Sequence, residues 1–163
     1  MAGDSQVRVR PATPDDLPWL VALARDPATA RALAVDAAER LEGELAASEL
    51  VVFEADAGEP VGAARLTIRN RRSRIGEVQS LMLDPTVRGR GLGTASARAA
   101  ARELVERRGM FRVEAEVYGF NAPALRAFAA AGYTREGVRR QAYDRHGTRH
   151  DGVLFGLLAA ELH

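Results

Sequence analysis

The sequence predicts a mixed α/β fold on a mostly antiparallel sheet with one parallel pair at its centre. Three observations predict it. Two hairpin signals follow one another after a helical opening, a strand, loop, helix and strand unit occupies the middle, and a further hairpin signal closes the chain. A chain of 163 residues with 47% apolar content can bury a real core, and residues 1–163 are expected to form a single domain.

Each element has its own local reason. Val7 to Pro11 alternates apolar and charged residues, as a first strand does, and Thr13 before Pro14, Asp15 and Asp16 has the form of a capped helix start. A helix through Leu17, Leu20, Val21 and Ala24 follows. Ala28 to Leu45 is alanine-rich with charges at helical spacing, enough for one helix or two, before Val51, Val52 and Phe53 turn Leu50 to Glu54 β-like. Ala57, Gly58, Glu59 and Pro60 make a turn into Val61 to Arg69, and the polar run Asn70 to Arg74 turns the chain again into Ile75 to Leu83. Asp84 to Arg90 reads as a loop, Leu92 to Arg107 as a long helix stopped at Gly109, and Arg112 to Val117 as a strand. Asn121 caps a short helix with Pro123 in its first turn and Gly132 past its end. Val138 to Tyr143 and Gly152 to Leu158 then pair around His146 and Gly147.

Composition removes several kinds of chemistry. Cysteine is absent, so no thiolate nucleophile, disulfide or thiolate metal site is available. Lysine is absent too, which rules out Schiff-base catalysis. The 23 basic residues, all arginine, face 22 acidic ones, and a net charge of +1 argues against a general nucleic-acid binder. Met1 to Gln6 is polar and no apolar run reaches the roughly 18 residues of a membrane span, so a cytoplasmic chain without a membrane partner is the expectation. His146 and His150 lack recognisable partners, and no metal is expected.

The most informative stretch is Arg88, Gly89, Arg90, Gly91, Leu92, Gly93 and Thr94, where a strand gives way to a helix. Glycines there let a backbone approach an anion, and the free N–H groups of a helix start favour negative charge. Two nucleotide loops fail on spelling. A Walker loop needs a lysine, and a dinucleotide fingerprint needs its third glycine one residue later than Gly93.

With its context, this stretch resembles the acyl-CoA-binding half of the GNAT superfamily. Arg88, Gly91 and Gly93 match the family signature, after the strand segment Leu81, Met82, Leu83 and the pair Asp84-Pro85; Asn121, Ala124 and Gly132-Tyr133 match its later pattern. The resemblance implies the GNAT fold, with helices on both faces of the sheet. It implies acetyl-CoA as cosubstrate and a primary amine, of a small molecule or a peptide N-terminus, as acceptor. The amides of Gly89, Arg90, Gly91, Leu92, Gly93 and Thr94, with the Arg88 side chain, would hold the pyrophosphate. Leu81, Met82 and Leu83 would pair with the pantetheine arm where two strands part, supported by Asn121, and Phe128 is counted with these cofactor-binding residues. The run from Gly132 to Leu158, with Arg135-Glu136-Gly137 and His150-Asp151, resembles the RimJ/RimL-type branch. A homodimer is left open.

Transfer to an amine needs a base, because an alkyl amine with a pKa near ~10 is mostly protonated at neutral pH. Glu77 and Glu116 match two base positions used in the family, and both are expected on the strands that part; a solvated strand position is the bland alternative. Many members carry a tyrosine where this chain has Phe128, which cannot protonate a leaving thiolate. Tyr118, Tyr133, Tyr143, Ser80 or water stand as replacements, and a non-catalytic acyl-CoA sensor is the competing function. Asp36, Glu39, Glu42 and Glu44 are placed to attract a cationic amine, or simply to solvate a helix face, and Arg69, Arg71, Arg72 and Arg74 form a charged turn.

Overall fold

The computed structural model describes residues 6–163, so all but the last residue of the polar start lies outside the described residues. The chain runs β1 (Arg8–Pro11), α1 (Leu17–Arg25), α2 (Pro27–Ala32), α3 (Ala37–Ala46), β2 (Leu50–Glu54), β3 (Pro60–Asn70) and β4 (Ile75–Leu83). It continues with α4 (Leu92–Arg102), β5 (Arg112–Tyr118), α5 (Ala122–Ala130), β6 (Thr134–Arg145) and β7 (Thr148–Leu158). The alanine-rich stretch makes two helices. Asp26 starts the first, its carboxylate accepting from the amide and hydroxyl of Thr29 at 3.1 Å each.

One seven-stranded sheet has the order β1-β2-β3-β4-β5-β7-β6. Every pairing is antiparallel except β4 with β5, which the α4 crossover makes parallel. The closing hairpin does not simply add at the edge: β7 fits between β5 and β6.

Two apolar clusters sandwich the sheet, one per face. On one side Leu20, Leu23, Leu33 and Leu41 of the first three helices and their links meet Leu50, Ala63 and Met82. On the other, Leu92, Ala97, Ala101 and Leu104 of the α4 region and Phe128 of α5 cover Phe53, Leu66, Val78, Val113 and Phe155. Helix α4 is shorter than its sequence pattern suggests, since its ladder gives way to a π-helical turn, Glu103–Arg107.

The parallel ladder is short, and that positions the site. It runs from Ile75↔Arg112 to Val78↔Ala115 and stops after four residue pairs. Beyond it β4 stays with β3, ending at Gly62↔Leu83, while β5 stays with β7, ending at Tyr118↔Gly152. A bulge drives them apart. Between Ala63↔Met82 and Arg65↔Gln79 strand β4 has one residue more than β3, and Ser80 takes a left-handed φ of 52°.

Candidate active site

The gap opens onto a cleft of about 230 Å³ on the face covered by α1, α2 and α3. Strand alternation sends Glu77 and Gln79 to this face from β4, and Glu114, Glu116 and Tyr118 from β5. Glu77, Leu81, Glu116, Asn121 and Phe128, all anticipated in the sequence, line this one space. Neither of the other two residues of that β4 segment lines it: Leu83 is half-buried against the core on the α4 and α5 side, and Met82 is buried in the core beneath the first three helices.

Of the acids on this face, only Glu116 is left with a spare buried oxygen. Glu114 is held by Arg69 and by Arg112, whose Nε donates at 2.9 Å. Glu116 Oε1 is buried without a hydrogen-bond partner; Arg139 Nε stands 3.4 Å away as an ion pair but not in hydrogen-bonding geometry. The chain leaves this room by having no side chain at Gly152, where an added Cβ would lie 2.2 Å from that oxygen. Tyr143 adjoins the same carboxylate. Burial, reinforced by Glu116, pushes its phenol up to about 12.

The opposite wall holds two arginines that the sequence reading did not single out. Arg65 donates to Glu49 at 2.6 Å and to Gln79 at 2.9 Å, and Arg40 lies 3.3 Å from Asp36. Glu44 is buried 3.8 Å from Arg65 and 4.0 Å from Arg40; burial pushes its carboxyl up while both arginines pull it down. Alternation along β3 was the available signal, since it puts Arg65 and Arg69 on one face. The acids on α3 and at its start are therefore not an open negative entrance: Asp36 and Glu44 are engaged with arginine, Glu42 is exposed, and Glu39 lies outside the cleft lining. Arg71, Arg72 and Arg74 are exposed on the β3–β4 turn.

At the end of β4 the loop reaches α4 through Gly89 and Gly91, whose φ values of 79° and 75° lie in the left-handed region that favours glycine. The space above both is open, with no heavy atom within 4 Å of a Cβ placed there. Helix α4 makes its first backbone bond from the Ala95 amide to the Gly91 carbonyl, 3.2 Å, so the amides of Leu92, Gly93 and Thr94 precede the ladder. Arg88 turns elsewhere. Its Nη2 donates to Thr29 Oγ1 at 2.7 Å and lies 3.8 Å from Asp26, tying the loop to α2.

The proposed stand-ins for a tyrosine at position 128 separate clearly. Tyr133 is buried, and its hydroxyl donates to the Ala97 carbonyl at 3.0 Å, so it is a core residue. Tyr118, Tyr143 and Ser80 line the cleft. Phe128 is buried against Tyr133 and Phe155, with one edge toward the cleft. Asn121 caps α5 through Ala124 N–H at 3.3 Å. Trp19 on α1 is half-buried against the core beneath the first helices, and its Nε1 donates to Asp84 Oδ2 at 3.5 Å. Among the described residues no three His, Asp or Glu gather as a metal site, and no helix is long and apolar enough to cross a membrane.

Comparison with known proteins agrees with this geometry. Over 133 residues the chain is 34% identical to a mycothiol acetyltransferase from Sanguibacter keddieii, covering 76% of this chain and 42% of that protein. The chain thus spans less than half the length of that relative. The fold superposes on a spermidine N-acetyltransferase from Vibrio cholerae, solved with CoA and spermine, with a TM-score of 0.82 at 17% identity over 96% of this chain and 98% of that one. A GNAT-family acetyltransferase from Bacillus anthracis gives 0.80 at 14% identity over 96% of each. The family model for the acetyltransferase (GNAT) family matches residues 18–133, and with the parted strands and the glycine loop in place the chain belongs to that family.

Proposed function

We propose that the protein is an acetyl-CoA-dependent N-acetyltransferase, with residues 1–163 acting as one domain and Glu116 as the base that deprotonates the acceptor amine. The observation that carries this reading is Glu116, whose buried Oε1 has only the Arg139 ion pair at 3.4 Å and the adjoining Tyr143 phenol beside it, at the cleft where β4 and β5 separate. A buried carboxylate oxygen so sparsely satisfied is costly, and a catalytic role is one reason a fold keeps one.

The residues present fit acetyl-CoA. The four-pair ladder leaves β4 from Gln79 onward and β5 from Glu116 onward without each other as partners, so Leu81, Met82 and Leu83 offer backbone groups to an amide-bearing arm. The open glycine loop and the α4 amides from Gly89 to Thr94 suit a pyrophosphate, with the Arg90 side chain adding charge. Arg88 contributes by holding the loop rather than by pointing freely. When bound, acetyl-CoA supplies the activated acetyl carbonyl. The chain's own part is to seat the amine between Glu116 and Glu77, to take its proton on Glu116 Oε1 directly or through water, and to offer β4 amides near Met82 to developing negative charge. We read the transfer as direct: the C–N bond to the amine forms as the C–S bond breaks, coenzyme A would leave as its thiolate and take up one proton, and no cysteine is present to carry the acetyl group as a thioester. Tyr143 and Tyr118 are the phenols in reach of this space.

The amine substrates of the spermidine enzyme support an amine acceptor, of a small molecule or of a protein N-terminus. Within the family we read the chain as RimJ/RimL-like, on Arg135-Glu136-Gly137 and His150-Asp151. The test is free-thiol release from acetyl-CoA across a panel of amines. Glu116→Gln is expected to lower kcat by about 100-fold with acetyl-CoA affinity nearly unchanged, and Glu77→Gln to cost less. A larger loss in Glu77→Gln moves the base to Glu77; acetyl-CoA binding with no amine-dependent release makes the chain a sensor.

A further inference from the structure

A second hollow of about 700 Å³ adjoins the cleft, between α1 and α2 on one side and the tip of the β6–β7 hairpin on the other. It presents Arg25, Arg31, Arg145, His146 and His150 against one carboxylate, Glu39. Arg25 and Arg31 are exposed, and among the described residues neither has a carboxylate partner. Asp26, next in sequence to Arg25, is occupied by Thr29 and Arg88.

The hollow and the cleft share a wall. Arg31 lies over the Phe120 ring at 5.6 Å, and Phe120 stacks on Tyr118 at 5.2 Å between centroids. Tyr118 lines the inner cleft, and Ala34 lines both spaces. Arg145 stands between them, donating to the carbonyls of Leu33 and, at 3.2 Å, Ala30 while lying 5.3 Å over Tyr118. The outer hollow, with its unpaired guanidinium groups, therefore opens next to the cleft that holds Glu116, two ring contacts beyond its Tyr118 wall.

We infer that this outer hollow holds an anionic group of the acceptor, so that the substrate is an amine carrying a carboxylate or phosphate rather than a polyamine. The inference rests on the acetyltransferase reading. Guanidinium groups bind such oxyanions through paired N–H donors, whereas a polycation would meet like charge there. A phosphate of acetyl-CoA itself is the other source of the same chemistry, and the experiment separates the two.

Thiol release is measured with matched acceptors: 4-aminobutyrate against butylamine, phosphoethanolamine against ethanolamine, and spermidine. The anionic member of each pair is expected to lead its neutral counterpart and spermidine by about tenfold or more in kcat/KM. Arg31→Ala and Arg25→Ala should each raise the KM of the anionic acceptor about tenfold while the KM for acetyl-CoA stays within about twofold, with part of the loss restored in Arg31→Lys. Both substitutions fall at exposed helix positions, and circular dichroism checks that they fold. Preference for spermidine or the neutral amines overturns the proposal while leaving the acetyltransferase reading intact. A raised KM for acetyl-CoA that vanishes with acetyl-dephospho-CoA also overturns it, assigning the hollow to the cofactor's phosphate. No release with any amine defeats the acetyltransferase reading itself.

Discussion

Glu116 owes its character to a residue with no side chain. Gly152 sits opposite Tyr118 in the β5–β7 register, and a Cβ on it would meet Glu116 Oε1 at 2.2 Å and Tyr143 Cε2 at 2.7 Å. Gly152→Ala should therefore displace the carboxylate, which is the end of a flexible side chain, more than it unfolds the sheet. The expected result is a drop in kcat of about tenfold or more with the acetyl-CoA KM near its original value, read by steady-state kinetics beside a melting curve. That Glu116 and Glu77 should meet where the strands part was legible only through the family resemblance, and both do line the cleft. What surrounds them was not: Arg139 and Gly152 reach Glu116 from strands far along the chain. Arg88 shows the same limit. Its place in the motif points it at a phosphate, but Thr29, 59 residues earlier, holds it, and no local pattern records that distance.

Strand β4 carries the largest share of the site, and its limits, Ile75–Leu83, agree with the alternation in the sequence. Its bulge at Ser80 leaves no comparable trace, because a serine at positive φ is imposed by the neighbouring strand rather than by its own preference. Next to that bulge β3 passes very close: a Cβ on Gly62 would lie 2.3 Å from the Met82 carbonyl oxygen. Backbone cannot step aside as a side chain can. Gly62→Ala should cost about 1–3 kcal/mol of stability in denaturant unfolding, far more than Gly43→Ala on α3, where nothing lies within 4 Å and the backbone is helical. Strand β6 extends from Thr134 to Arg145, well past the Val138–Tyr143 read from the sequence. Most of its residues are exposed, so it lacks the apolar period that announces a half-buried strand.

At the scale of the molecule, charge staples the first strand to the sheet and helices. Arg10 donates to Glu54 at 2.5 Å and to Asp16 at 2.7 and 2.9 Å, joining β1, β2 and the entry to α1. The Arg10 hydrogen bonds hold the Asp16 carboxyl down at about 2. The unfolded chain releases that proton near pH ~3.9, so the contribution is complete above about pH 4 and lost as the pH falls toward 2. Asp16→Asn should lower the Tm at neutral pH and flatten its decline over that acid range, as followed by calorimetry at stepped pH. The antiparallel run and the parallel crossover were visible because both depend on neighbours in the chain. The insertion of β7 beside β5 is a long-range choice, made by Val153, Phe155 and Leu157 joining the core under α4 and α5.

Because main-chain bonding between β4 and β5 ends after four rungs, the sheet consists of two plates sharing a narrow seam. A small tilt about that seam leaves each plate's own ladder whole. It changes the width of the mouth most at the rim, where Leu81 and Tyr118 stand, and least at Glu77 beside the pivot.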